Sequence, residues 1–156
     1  MSPASRGAAR ALLAAGALAA GSGACDRRPP LASCDDDLRG VYVAGGQRWM
    51  ILDGGAELEA YPLFPDVAPV PGLEVAPRVL GFQRTPGGIH GNVRRRYMRG
   101  AQACVGRAPA HVTACAGEAL QLVLADPAPP LAWPDAPEQA CTWSSPSTHV
   151  ERWVRE

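Results

Sequence analysis

Glycine-rich turns punctuate this chain at short intervals, and they limit it to one kind of architecture. Gly45-Gly46, Gly54-Gly55 and Pro86-Gly87-Gly88, with Gly100 and Gly117 beyond them, separate short runs of apolar or alternating residues. Glycine supplies the positive φ values that tight hairpin turns require. No run shows the helical period over a useful length, so the segments read as strands: 38–44, 47–53, 56–64, 78–84, 89–98, 102–115, 118–125 and 148–155. Two longer links, 65–77 and 126–140, are rich in proline and read as loops. The fold class is all-β, an antiparallel up-and-down meander of about eight strands.

A meander leaves two edge strands, and closing it into a barrel removes both. A closed or nearly closed barrel is therefore expected, with a half-open sheet folded over its own core as the alternative. Leu120, Leu122 and Leu124 mark one face of the seventh strand, and Gly106, Ala108, Ala110, Val112 and Ala114 mark one face of the sixth. Such small side chains either leave space inside a barrel or fit its taper. The opening Asp37-Leu38-Arg39-Gly40-Val41-Tyr42 resembles that of the lipocalin-like barrels, whose G-x-W motif sets an aromatic at the base against an arginine of the last strand. Gly40 and Tyr42 match the glycine and the aromatic, with Tyr in place of Trp. The resemblance implies Arg152 or Arg155 as the stacking arginine.

The meander also constrains the cysteines. With strands alternating in direction, Cys34 and Cys115 fall at one pole and Cys104 and Cys141 at the other. A bridge between Cys104 and Cys115 would join points about 36 Å apart on one extended strand, against a reach of about 4.4–6.8 Å between bonded Cα atoms. The expected disulfides are Cys34–Cys115 and Cys104–Cys141, each contributing about 2–4 kcal/mol.

That pairing leaves Cys25 over. Residues 1–10 carry two arginines and no acid, and residues 11–20 form a short apolar run, the layout of an export signal. As a helix the run would span about 15 Å, roughly half the hydrocarbon thickness, too little for a membrane anchor. Small residues at Ala17 and Ala19, or Ser22 and Ala24, suit ordinary signal peptidase. Ser22-Gly23-Ala24-Cys25 resembles the lipobox of bacterial lipoproteins, with Ser22 where the family favours leucine. The resemblance implies cleavage after Ala24 and lipidation of Cys25, which would absorb the odd cysteine of the five. The domain plan is then a signal peptide at 1–24, a lipidated Cys25 with a Pro-containing tether to 33, and a single barrel domain at 34–156. The expected location is membrane-anchored by lipid, facing the periplasm or cell surface, with a soluble secreted form as the alternative.

Little in the mature chain points to chemistry. Its charge is minus two, 13 arginines against 15 acids, which gives no field for nucleic acid. His90, His111 and His149 lack ligand spacing, and no C-x-x-C occurs, so no metal or other cofactor is expected. Asp35, Asp36 and Asp37 lack the offsets of a calcium loop and read as solvated charges. Ser144, Ser145 and Ser147 have no nucleophile elbow. In Arg94-Arg95-Arg96-Tyr97-Met98-Arg99, one strand face must carry arginine toward the core or rim. It reads as an anion site or, more simply, as surface arginines paired with Glu57 and Glu59. The expectation is a non-enzymatic envelope lipoprotein binding a small apolar molecule inside its barrel, with Tyr42, Trp49 and Phe64 as lining. The alternative is an interaction or structural module whose partner is another envelope protein.

Overall fold

A computed structural model of the chain describes residues 30–65, 70–134, 140–142 and 147–156. The export signal, Cys25, the first part of the tether, Ser144 and Ser145 lie outside the described residues. Among those described there is no helix. The strands are β1 (Gly40–Ala44), β2 (Gln47–Asp53), β3 (Glu57–Pro62), β4 (Glu74–Val75), β5 (Val79–Thr85), β6 (Gly88–Arg99), β7 (Gln102–Ala116), β8 (Ala119–Ala125) and β9 (Thr148–Arg155). All neighbours are antiparallel, and the β6–β7 and β1–β9 pairings close the ring β1-β2-β3-β5-β6-β7-β8-β9 into an eight-stranded barrel. Closure leaves the eight ring strands without a free edge.

The ninth strand, β4, falls inside a link expected to be loop. It pairs Glu74 with Met98 and Val75 with Tyr97, continuing β5 along the far end of β6. Ala76 N–H still donates to the Arg96 carbonyl at 2.8 Å. Pro77 has no N–H to give, and the ladder breaks there before resuming at Val79.

Turn chemistry sets the hairpins. Gly45 and Gly46 sit at φ +57° and +80°, the left-handed values of a type I′ turn between β1 and β2. Gly91 serves another purpose, because β5 and β6 approach so closely that a Cβ there would lie 1.9 Å from the Gly81 carbonyl oxygen. Period-two alternation then fills the barrel. Tyr42, Trp49, Ile51, Leu58, Leu80, Ile89, Val93, Leu120, Leu122, Leu124 and Trp153 are all at most 5% exposed. Trp49 and Trp153 stack in the axis with ring centroids 4.7 Å apart. Each buried indole contributes about 4–6 kcal/mol at 25 cal/mol per Å².

On β7, Gly106, Ala108 and Ala110 face inward as the alternation predicts, but Ala114 does not. A register shift between Val112 and Ala114 spends one residue, and Cys115 turns inward in its place. This shift brings Cys115 to Cys34, which it bonds with Cα atoms 5.0 Å apart. At the opposite pole Cys104 bonds Cys141 with Cα atoms 5.1 Å apart. Cys104 and Cys141 join Tyr97, Leu73, Val75 and Trp133 in a second, smaller core under the β6–β7 hairpin.

The two poles differ. At one, the N-terminal segment crosses the barrel as a lid: Leu31 exchanges two backbone hydrogen bonds with Gly117 and is 5% exposed. The packed domain thus begins ahead of the boundary expected at Cys34. Arg84 fastens the lid by donating to the Cys34 and Asp36 carbonyls and to Asp53. Tyr42, fully buried, donates to the Leu38 carbonyl at 2.9 Å and accepts from Arg155 Nε at 3.0 Å. Of the two candidate arginines, it is Arg155 whose guanidinium lies over the Tyr42 ring, at 5.4 Å.

Candidate functional site

The other pole is a mouth, and charged residues line it on the inner face of the wall. Arg78 keeps the phase of Leu80 and Phe82, Glu151 that of Trp153, and Arg95 that of Val93 and Tyr97, so alternation alone turns all three inward. Arg78 reaches Glu151 with Nη2 at 2.8 Å and Asp126 with Nη1 at 3.1 Å, and its guanidinium covers the Trp49 ring at 4.7 Å. The Arg78 and Glu151 side chains are each 15% exposed. Burial raises the Glu151 carboxyl. The Trp153 indole N–H, the Arg78 guanidinium and His149 together outweigh burial and hold the carboxyl below its ordinary range. Glu151 is therefore an ionised acceptor at neutral pH, with its oxygens already engaged.

Beneath Arg78, Trp49 and Trp153 pack in the barrel core with ring centroids 4.7 Å apart. Above Trp49 a recess of about 190 Å³ opens, lined by Gln47, Trp49, Pro62, Pro77, Arg78 and Arg95, with Pro65 at its rim. Two donors of residues that line it, Trp49 Nε1 and Arg95 Nε, are buried without a hydrogen-bond partner. A buried donor left unpaired costs about 1–3 kcal/mol, so these two are a local cost beside the mouth. Tyr97 stands beside Arg95 and donates its hydroxyl to the Pro127 carbonyl. Burial pushes the Tyr97 phenol up from its ordinary value, while the charge of Arg95 pulls the other way.

Two other concavities are open to solvent. One, of about 430 Å³, runs along the outer wall over β3, β5 and β6, with Glu59, His90, Asn92, Arg94 and Arg107 on it. There Arg94 pairs with Glu59 at 3.4 Å, the surface pairing anticipated from sequence, and Asn92 Oδ1 is buried without a partner. His90 and His111 face each other across β6 and β7 with ring centroids 6.1 Å apart. The other lies at the lid among Asp35, Asp36, Asp37 and Arg84. Arg84, Asp53 and backbone N–H groups already occupy one another there: burial raises the Asp53 carboxyl, and Arg84 with the Leu38 and Gly55 N–H groups more than reverses it. Among the described residues no cluster of three metal-ligating side chains occurs.

Of the three lining residues named from sequence, Tyr42 and Trp49 stand opposite each other across β1 and β2, both buried in the barrel core. Tyr42 is tied to the lid through the Leu38 carbonyl, and Trp49 also lines the recess. Phe64 stands 72% exposed beyond the end of β3, where strand alternation no longer places a side chain. Sequence reasoning missed Arg78, Asp126 and Glu151. The period-two phase of Arg78 and Glu151 was a sufficient signal, but charge at a core position reads as a strand end unless its partner is known. Comparison with protein families, with functionally characterised proteins and with solved structures finds no match to this chain.

Proposed function

We propose that this is a lipid-anchored, non-enzymatic binding protein of the cell envelope that takes a small molecule at the mouth of its barrel. The observation that carries this reading is the recess over Trp49, where two buried N–H donors lack acceptors while the axis beneath is closed by the Trp49–Trp153 stack. The lipidated N-terminus rests on the resemblance of Ser22-Gly23-Ala24-Cys25 to a lipobox, and on the two disulfides, which leave Cys25 without a partner. Absence of catalysis is supported by Glu151, whose carboxyl the Trp153 indole, Arg78 and His149 hold below its ordinary range rather than poised to exchange protons.

A second reading, an interaction module for another envelope protein, is favoured by one feature of the outer wall. Leu52, Val150 and Val154 are 47%, 58% and 41% exposed on β2 and β9, two strands that flank β1. Native mass spectrometry of protein extracted from its host, after growth with labelled palmitate, tests both. The binding reading expects label on Cys25, absent from Cys25→Ser, and an added small mass that Trp49→Phe no longer retains. An unlabelled chain removes the anchor, and a bare protein mass accompanied by a copurified protein favours the interaction module.

A further inference from the structure

His90 and His111 are far apart in the chain but directly opposite in the β6–β7 ladder, one pair in from its open end. Both side chains leave the outer wall, since Ile89 and Ala110 beside them turn into the core; His90 is exposed and His111 half-buried. Directly opposed residues of an antiparallel pair hold their Cβ atoms about 4.5–5.5 Å apart, and here the two imidazole rings stand 6.1 Å apart between centroids. We infer that this pair chelates one divalent late first-row transition ion, Zn²⁺ or more tightly Cu²⁺, clipped across β6 and β7. The site is separate from the mouth and stands or falls without it.

An ion held at about 2.0–2.1 Å by one nitrogen of each ring lies about 3.2 Å from each ring centre, so two rings sharing it stand about 4.5–6.4 Å apart as the angle at the metal opens from square to linear. The observed separation falls inside that span. A tetrahedral angle needs the rings about 1 Å closer, which rotation of two side chains on an open wall supplies. The backbone prepares His90 further. Its Nε2 lies 3.0 Å from the Gly87 carbonyl oxygen, which can only accept, so Nε2 carries the hydrogen and donates it. The neutral ring then keeps its lone pair on Nδ1, and a ligand imidazole is commonly tied to a carbonyl in this way through its second nitrogen. His111 makes no hydrogen bond among the described residues, which leaves its nitrogens available to an ion.

The surroundings suit a cation. His90 borders the open groove over β3, β5 and β6, where water can fill the remaining coordination positions. In the same row across the sheet Gln83 stands opposite His90 and Glu57 opposite Gln83, so the charge in that row is a carboxylate. Arg94 and Arg107 start about 13 Å further along the ladder, beyond the Debye length of about 8 Å at physiological salt. Imidazole nitrogen also selects the ion, since Mg²⁺ and Ca²⁺ prefer oxygen.

The test is a titration of the disulfide-intact protein at neutral pH with zinc chloride, and separately with magnesium chloride, followed at the histidine ring resonances assigned through the backbone. The His90 and His111 resonances are expected to move together and saturate at one Zn²⁺ per chain, while Mg²⁺ moves neither. His90→Ala and His111→Ala are each expected to weaken binding about tenfold or more, because chelation by two ligands held together is lost. If only one of the two resonances moves, if the two follow separate curves, or if either variant binds Zn²⁺ as tightly as the wild type, the histidines act singly and the shared site falls. It falls as well if neither has moved by about 1 mM Zn²⁺. The wild-type titration decides the matter even where a variant does not fold.

Discussion

Arg78→Met isolates the ion pair inside the mouth. Methionine keeps most of the apolar stem against Trp49 and removes the guanidinium, which holds Glu151 at 2.8 Å and Asp126 at 3.1 Å. Removing one member of a buried pair costs about 3–5 kcal/mol, because the survivor stays charged and out of water. Asp126, 39% exposed, rehydrates at little cost. Glu151, 15% exposed, does not, although it keeps the Trp153 Nε1 donor at 2.9 Å. The expected loss is about 3 kcal/mol at pH 7, equivalent to a fall in Tm of about 12 °C for a domain of this size.

The sign of the pH dependence follows from Glu151. In the native protein its carboxyl is held below the unfolded value of 4.5, so the stability it lends is present above that pH and drains away as pH falls through the lower folded value. In Arg78→Met the largest remaining influence is burial, which raises the carboxyl, and a protonated Glu151 is cheap to bury. The gap between variant and wild type should therefore narrow as pH drops below the unfolded value. Urea unfolding of the disulfide-intact domain, followed by tryptophan fluorescence at neutral and acid pH, measures it. A loss under about 1 kcal/mol at pH 7 would refute the buried-pair reasoning. A loss that stays constant into acid would assign the effect to lost packing on Trp49.

Gly91→Ala should cost more than about 3 kcal/mol, since the new methyl would lie 1.9 Å from the Gly81 carbonyl and the β5–β6 ladder must part. Gly45→Ala, in open space at φ +57°, should cost only about 1–2 kcal/mol, and equal thermal melts for the two would contradict the close approach. Tyr42→Phe should cost about 2 kcal/mol in urea unfolding, because its fully buried hydroxyl joins the Leu38 carbonyl to Arg155. A cost near zero would mean that this hydroxyl does not fasten the start of the barrel to its end.

Local rules account for what the sequence disclosed. The turn glycines and the period-two runs place eight strands, and strand direction alone sorts Cys34 with Cys115 and Cys104 with Cys141. What stayed hidden depends on partners far along the chain. Closure itself follows from the need to remove the edges, but the residue pairs that join β1 to β9, Tyr42↔Arg155 and Val43↔Val154, do not. The register shift after Val112 has no marker, because Thr113 and Ala114 suit a regular strand as well as a bulge. Leu31 reads as tether until Gly117 is seen to bind it. At the mouth, strand alternation is enough to turn Trp49 inward, but the charged group beside it is not legible the same way: Arg78, Asp126 and Glu151 make sense inside a barrel only as a group, and they lie on separate segments.

The lid gives the proposed anchor a direction. Leu31 is hydrogen-bonded to Gly117 at the closed pole, and the stretch from Cys25 to Leu31 can extend no more than about 20 Å. Were Cys25 to carry acyl chains, the lid pole would stay within about 20 Å of the headgroups, with the recess at the opposite pole. A seat so oriented is out of reach of the acyl chains and samples what is dissolved in the compartment.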